Sequence, residues 1–298
     1  MKIILQKKKL AFWLGAVFVI ISIGFMVLIF HVQRQNFSNT YKGNLQALAN
    51  EKELLVNTFL ESQKEKLEII ASMNVFKEAL LYPNDTAKIA IATNRINELK
   101  SIIPGISILT NEGIAVIGEF DLPGTDYGQH PYFARKDTKT SFERYYDPLR
   151  KADYYAIIGP IYGSADRSKI IGRIAFDIEL EKISALMKKT PASKTNEVYL
   201  IDENGLLLSG SNYINNDNKN GVLIQEIKSD RAKDCLEDLK KYQKDGAIEE
   251  HKDEISQYIN YMGDEVFGVI AHVPSIMGCV IAEESAKKVL GIYDVKLY

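Results

Sequence analysis

The sequence predicts a mixed α/β (α+β) chain with antiparallel sheets: an N-terminal transmembrane helix, a long stalk helix, then two tandem copies of one module. Three observations carry that prediction. Residues 10–30, LAFWLGAVFVIISIGFMVLIF, hold no charge, and about 20 apolar residues are what a helix needs to cross the hydrocarbon core. The stretch from Gln35 to Leu81 contains no proline and one glycine. Finally, NEVYLIDENGLLLSG (196–210) repeats GISILTNEGIAVIG (105–118) without gaps: strand, polar turn ending in Gly113 or Gly205, strand, glycine.

Lys2, Lys7, Lys8 and Lys9 precede the apolar span, and only Arg34 and Lys42 occupy the twenty residues after it. The positive-inside bias therefore puts residues 1–9 in the cytoplasm and the bulk of the chain outside, single-pass in the inner membrane. A cleaved signal peptide would have a shorter apolar region and an A-x-A-like site; the flank HVQRQNFS offers none. Thirty-seven Lys and Arg against 39 Asp and Glu give a net charge of -2, which excludes a nucleic-acid binder driven by a basic surface.

Residues 31–81 form the stalk or dimer helix, with Tyr41, Leu45, Leu48, Leu55 and Phe59 at helical spacings. Asn44, Glu51 and Lys52 break the heptad, so the stripe reads as core packing more than coiled coil. Pro83-Asn84-Asp85-Thr86 ends it, and Asp85 or Thr86 caps the next helix, which runs to about Ile102. ISIL (106–109) and IAVIG (114–118) read as a hairpin. The aromatic-rich stretch 119–153 carries Tyr127, His130, Tyr132, Phe133, Phe142, Tyr145 and Tyr146 and reads as an irregular loop, which at that length is commonly functional. YYAIIGPIY (154–162), containing Tyr155, and KIIGRIAFDI (169–178) follow as strands, then the helix ELEKISALMKK. These complete a first module over 82–190; a second spans 191–290, with a helix at about 229–243 and short strands at 247–251 and 255–262. Cys235 and Cys279 lie in an oxidising compartment and are either a disulfide or two small buried hydrophobes.

The strand-turn-strand starts and the strand-turn-strand-helix ends (IIGPIYGSADRSKIIGRIAFDIELEKI), behind a membrane anchor and a long helix, resemble the double Cache (PAS-like) sensor domains of bacterial and archaeal receptors over about residues 35–295. The resemblance implies the ligand-binding region of a signalling receptor: a methyl-accepting chemotaxis receptor, a sensor histidine kinase or a diguanylate cyclase, homodimeric through its long helix. In that family the second module leads into a helix that re-enters the membrane. Here 291–298 correspond to the start of an exit helix and YDVKLY begins no second apolar span, so a fragment of a longer receptor and a sensor that signals through a partner both fit.

The resemblance further implies a small ligand bound in the membrane-distal module, under the irregular loop. Family members that bind free amino acids carry Arg-x-Trp-aromatic, then Tyr-x-Asp, then an Asp at a strand end. Tyr145-Tyr146-Asp147 supplies the second element and Asp177 the third, whereas HPYF (His130 to Phe133) stands where the first would be. That puts His130 at the Arg position and Tyr132 at the Trp position, with Arg135 out of register. The expected contacts are thus Tyr127, His130, Tyr132, Phe133, Tyr145, Asp147, Tyr155 and Asp177, matching the ammonium half of an amino-acid site. An amino acid, an amine or another small metabolite fits. Asp177 has a second reading as a helix cap, and the tyrosines one as sheet packing.

His31, His130, His251 and His272 show no metal-ligand spacing, no phosphate loop or nucleophile motif is present, and no cofactor is expected. The chain reads as a non-enzyme; a membrane-anchored hydrolase and a protein-binding scaffold are the alternatives.

Overall fold

The computed structural model describes residues 2–134, 138–147, 151–164, 166, 168–188, 196–211, 222–245 and 255–290. Helix α1 runs unbroken from Lys2 to Ala71. Among the described residues no helix is long and apolar enough to cross a membrane, so the assignment of 10–30 to a bilayer rests on the sequence pattern. Beyond residue 44, α1 buries one stripe, Leu45, Leu48, Val56, Leu60, Leu67 and Ile70, against both sheets. Lys52 interrupts that stripe yet is fully buried: its ammonium donates to the carbonyl of Leu186 at 2.8 Å. That carbonyl belongs to the last turn of α5 (Leu180–Lys188), where backbone acceptors lack helical partners. The lysine that breaks the heptad thus ties the long helix to the first half of the fold.

The helix expected to continue to Leu81 ends ten residues earlier. Ser72 Oγ donates back to the Ile69 carbonyl at 2.6 Å, Met73 is extended (φ -67, ψ 126), and α2 (Asn74–Leu81) starts a new direction. Asp85 caps α3 (Thr86–Leu99), accepting from the amides of Ala87 and Lys88.

The first sheet has the order β2-β1-β5-β4-β3, built from β1 (Ser107–Leu109), β2 (Ala115–Gly118), β3 (Ser141–Asp147), β4 (Ala152–Tyr162) and β5 (Ile170–Asp177). Between β2 and β3 lies the short α4 (Pro131–Ala134). β3 is the element the sequence reading misses: SFERYYD was part of an irregular loop, but it pairs with β4 from Ser141↔Ile158 to Asp147↔Ala152. Its polar, aromatic composition suits an edge strand.

The second sheet has the order β6-β9-β8-β7, from β6 (Asn196–Ile201), β7 (Ser256–Ile259), β8 (Glu265–Val273) and β9 (Gly278–Ser285), with α6 (Asp230–Asp245) between β6 and β7 and α7 (Ala286–Val289) at the end. The expected second strand at 206–210 is reduced to isolated bridges, Ile201↔Leu207 and Leu206↔Glu226. Cys235 of α6 and Cys279 of β9 form a disulfide. The strand expected at 247–251, Arg135 and the exit helix at 291–298 lie outside the described residues.

Candidate functional site

The first sheet has two unlike faces because strand side chains alternate. Ile106, Ile108, Ile157, Ile161, Ile174 and Phe176 join the main core with α1. The opposite face presents small side chains at its centre, Ser107, Ala156 and Ala175, beside Gly105 and Asp177. Large residues there would fill the space; these leave a cleft, roofed by the segment 119–134.

That roof is pinned by polar contacts to the sheet. Asp121 accepts from the hydroxyls of Ser107 and Tyr127, and Glu119 accepts from the Gly105 amide at 2.8 Å. The His130 ring bonds the Arg144 carbonyl of β3 through Nε2 at 3.1 Å, while its Nδ1 accepts the Tyr132 amide at 3.3 Å. Both bonds together require the Nε2–H tautomer.

Asp177 closes the far end. It is 8% exposed, and its Oδ1 accepts the Tyr145 hydroxyl at 2.6 Å. Helix α5 opens three residues later, at Leu180. Gly105 sits against this carboxylate with φ +68, where a Cβ would collide with it. The Tyr145 ring is framed edge-on by Tyr127 (centroids 6.3 Å, 82°) and His130 (6.4 Å, 74°), and lies beside Tyr154 at 6.0 Å. The cleft encloses about 30 Å³, room for one or two water molecules.

Two carboxylates, Asp121 and Asp177, and the rings of Tyr127, His130, Phe133, Tyr145 and Phe176 line this cleft, and among the described residues no lysine or arginine does. Such a wall attracts a cation, by charge and by the ring faces. Among the described residues no group of three His, Cys, Asp or Glu is placed to hold a metal ion. A larger groove of about 850 Å³ between the end of α1, α2 and the 138–140 turn is lined by three lysines, Lys64, Lys77 and Lys139, with one carboxylate, Glu68, and one aromatic ring, Tyr162.

Of the residues expected at the site, Tyr127, His130, Phe133, Tyr145 and Asp177 converge on the cleft. His130 contributes its ring, but both nitrogens are held by the chain. Tyr132 does not line the cleft: it is fully buried, donates to the Lys139 carbonyl at 3.0 Å and packs edge-on against Phe133 at 5.4 Å, with the Arg173 guanidinium 5.8 Å from its ring centre. Tyr155 faces the other side of the sheet, because it neighbours Ala156 on one strand. There it meets a cleft of about 320 Å³ shared with Arg144 and with Asp202, Glu203 and Asn204 of the second half. Burial, then the Asp202, Glu203 and Glu143 carboxylates, push its phenol well above the usual range. Asp147 keeps its backbone place at the end of β3; its side chain lies outside the described residues.

Sequence reasoning missed Asp121 and the small floor residues. The signal for Asp121 was its place in EFDLPGTDYG, six residues before Tyr127, though nothing in that spacing says the two bond. The floor left no signal, since serine and alanine in a strand are unremarkable until the strands are aligned.

A family model described as Cache domain matches residues 33–288. Among curated protein sequences none matches the chain. The fold is similar to the sensor domain of the Vibrio cholerae histidine kinase DctB, at 12% identity and TM-score 0.57 over 85% of this chain and 98% of that one. It is also similar to the ligand-binding domain of the Campylobacter jejuni chemoreceptor Tlp3 in complex with 4-methylisoleucine, at 16% identity and TM-score 0.59 over 88% and 96%. A third is the ligand-binding domain of the Pseudomonas aeruginosa amino acid chemoreceptor PctB in complex with L-Arg, at 13% identity and TM-score 0.55 over 84% and 97%.

Proposed function

The chain belongs to the Cache domain family, extracytoplasmic sensors of membrane receptors, and from that premise we propose that it senses a small organic ammonium compound, an amine or an amino acid, in the cleft of the first sheet. The observation that carries this reading is the pairing of Asp121 and Asp177 with the Tyr127, His130 and Tyr145 rings in a wall that, among the described residues, holds no lysine or arginine. The ligand ammonium sits between Asp177 and the ring faces. The molecules bound to the Tlp3 and PctB domains, 4-methylisoleucine and L-Arg, are amino acids, which supports an ammonium ligand here.

The cleft's 30 Å³ is smaller than any amino acid, so a ligand enters with an outward shift of the 119–134 roof. The His130 bond to the Arg144 carbonyl makes β3 move with that roof. Arg144 lines the cleft between the halves with Asp202, and its charge acts on the Asp202 carboxyl. A roof displacement is thereby passed to the second half and to α1, which packs on both sheets. The assembly we propose is a receptor anchored by 10–30, with the stalk at 31–81 pairing two copies, a membrane-distal module at 82–190 and a membrane-proximal one at 191–290. Ligand shifts the paired helices by about 1 to 2 Å toward a chemotaxis, kinase or cyclase output.

The test is a thermal-shift panel of L-amino acids, the corresponding decarboxylated amines and their N-acetyl derivatives. At least one free amine or amino acid should raise the melting temperature, its acetylated form should not, and Asp177→Ala should abolish the rise. An undiminished shift in Asp177→Ala would overturn the assignment of the site.

A further inference from the structure

The strand registers of the two sheets correspond, including around the cleft of the first sheet. The ungapped repeat aligns Ser107 with Tyr199, and the turns agree: Gly113 donates to the Thr110 carbonyl as Gly205 does to that of Asp202. Ser107 pairs with Ala175 and Tyr199 with Ile281, so Asp177 corresponds to Glu283. Asp177 pairs with Ala156 and Glu283 with Gly268. On the edge strands, Glu143 opposite Ala156 matches Ser256 opposite Gly268. Two residues on, Tyr145 corresponds to Tyr258, and four residues on, Asp147 to Asn260.

The chemistry repeats with the register. Tyr145 donates to Asp177 at 2.6 Å, and Tyr258 donates to Glu283 at 2.6 Å. Asn260 adds a bond to the other Glu283 oxygen at 3.3 Å. Each centre also has a second carboxylate, Asp121 in the first and Glu197, in register with Glu283 and 1% exposed, in the second.

What differs is the floor. Where the first sheet has Ser107 and Ala175, the second has Tyr199 and Ile281, and the Tyr199 hydroxyl donates to Glu283 at 2.7 Å. Tyr199 and Ile281 pack with Ala232, Cys235 and Leu239 of α6, which the disulfide to Cys279 holds on the sheet.

We infer that the second sheet carries a latent copy of the ammonium site, in which the phenol of Tyr199 occupies the ligand's place on the Glu283 carboxylate. The inference rests on reading the first-sheet cleft as an ammonium site, but its test does not. Tyr199→Ser, which copies the first sheet, opens a cavity beside Glu283. The whole chain is melted with benzylamine, and with benzyl alcohol as neutral control, in an Asp177→Ala background that removes from the first centre the carboxylate corresponding to Glu283. Benzylamine at about ten times its dissociation constant should raise the Tyr199→Ser melting temperature by roughly 3 to 6 °C. The alcohol should do less, and adding Glu283→Gln should remove the rise. No rise, or one that survives Glu283→Gln, overturns the inference. Should Tyr199→Ser fail to fold, Tyr199→Val with methylammonium reads the same two outcomes. If Asp177→Ala leaves ligand binding by the otherwise native chain intact, the first-sheet reading falls, while the Glu283 comparison still stands or fails by itself.

Discussion

Replacing Asp177 by Asn isolates one interaction. The amide is isosteric, keeps an oxygen to accept the Tyr145 hydroxyl now 2.6 Å away, and leaves the backbone bond from the Asp177 amide to the Pro104 carbonyl. What it removes is the charge. An ammonium about 4 Å from a carboxylate at an effective dielectric of about 20 gains about 4 kcal/mol. Desolvating both groups offsets part of that, and hydrogen bonds to charged groups net about 1.5 to 3 kcal/mol. A loss of about 2 to 3 kcal/mol, at 1.4 per decade, weakens binding about 30- to 140-fold. Calorimetric titration of the best ligand from the panel checks the figure, with its N-acetyl derivative as neutral control. The free amine should lose its advantage over the acetylated form in Asp177→Asn, while the melting temperature without ligand moves by less than about 4 °C. Equal affinity of wild type and Asp177→Asn for the free amine would refute the reasoning, because no carboxylate would then be in contact with the ammonium.

Three further perturbations follow from the same contacts. Gly105→Ala forces φ +68 on an alanine and drives a methyl into the Asp177 carboxylate; stability should fall by about 1 to 2 kcal/mol, and ligand affinity should fall with it. Unchanged affinity would show that Asp177 is free to move. The Cys235–Cys279 disulfide spans a sequence separation of 44, for which loop-closure entropy predicts a loss of about 4 kcal/mol in the double serine variant; denaturant unfolding with and without reductant measures it, and a loss below about 1 kcal/mol would refute that origin. Burial, opposed by bonds from Tyr258, Tyr199 and Asn260 and reinforced by Glu197, raises the Glu283 carboxyl above its ordinary 4.5. A raised acid favours the folded state below its unfolded pKa, and that contribution is lost as pH rises through the folded value. Wild type should therefore gain stability relative to Glu283→Gln as pH falls from about 7 toward 4.5; a flat difference would sink the assignment.

Much of the architecture was legible because it depends on local patterns. The hairpin at 105–118, β4, β5, α5, α6 and the β8–β9 pair announce themselves through apolar runs, alternation and glycine turns. Where the reading failed, a tertiary contact overrode the local signal. SFERYYD is a strand because β4 offers it an edge, and the helix through 72–73 breaks although no proline or glycine marks the spot. Lys52, a flaw in the heptad, became a buried donor only because the end of α5 lies against α1.

The site divides in the same way. Its residue types were picked out through the family resemblance, which points to Tyr145-Tyr146-Asp147 and to the Asp177 that closes a strand. Which of them face one another was not: Tyr145 and Asp177 are 32 positions apart, and Tyr155 left the site because one residue of register sends a side chain through the sheet. By itself, then, the sequence determined the apolar span at 10–30 and the repeat of one strand-turn-strand unit. Tertiary structure alone decided that the two sheets hold a carboxylate–tyrosine pair in the same register and that Tyr199 and Ile281 stand in the second where Ser107 and Ala175 floor the cleft in the first, because free volume is set by side chains that meet across strands distant in sequence.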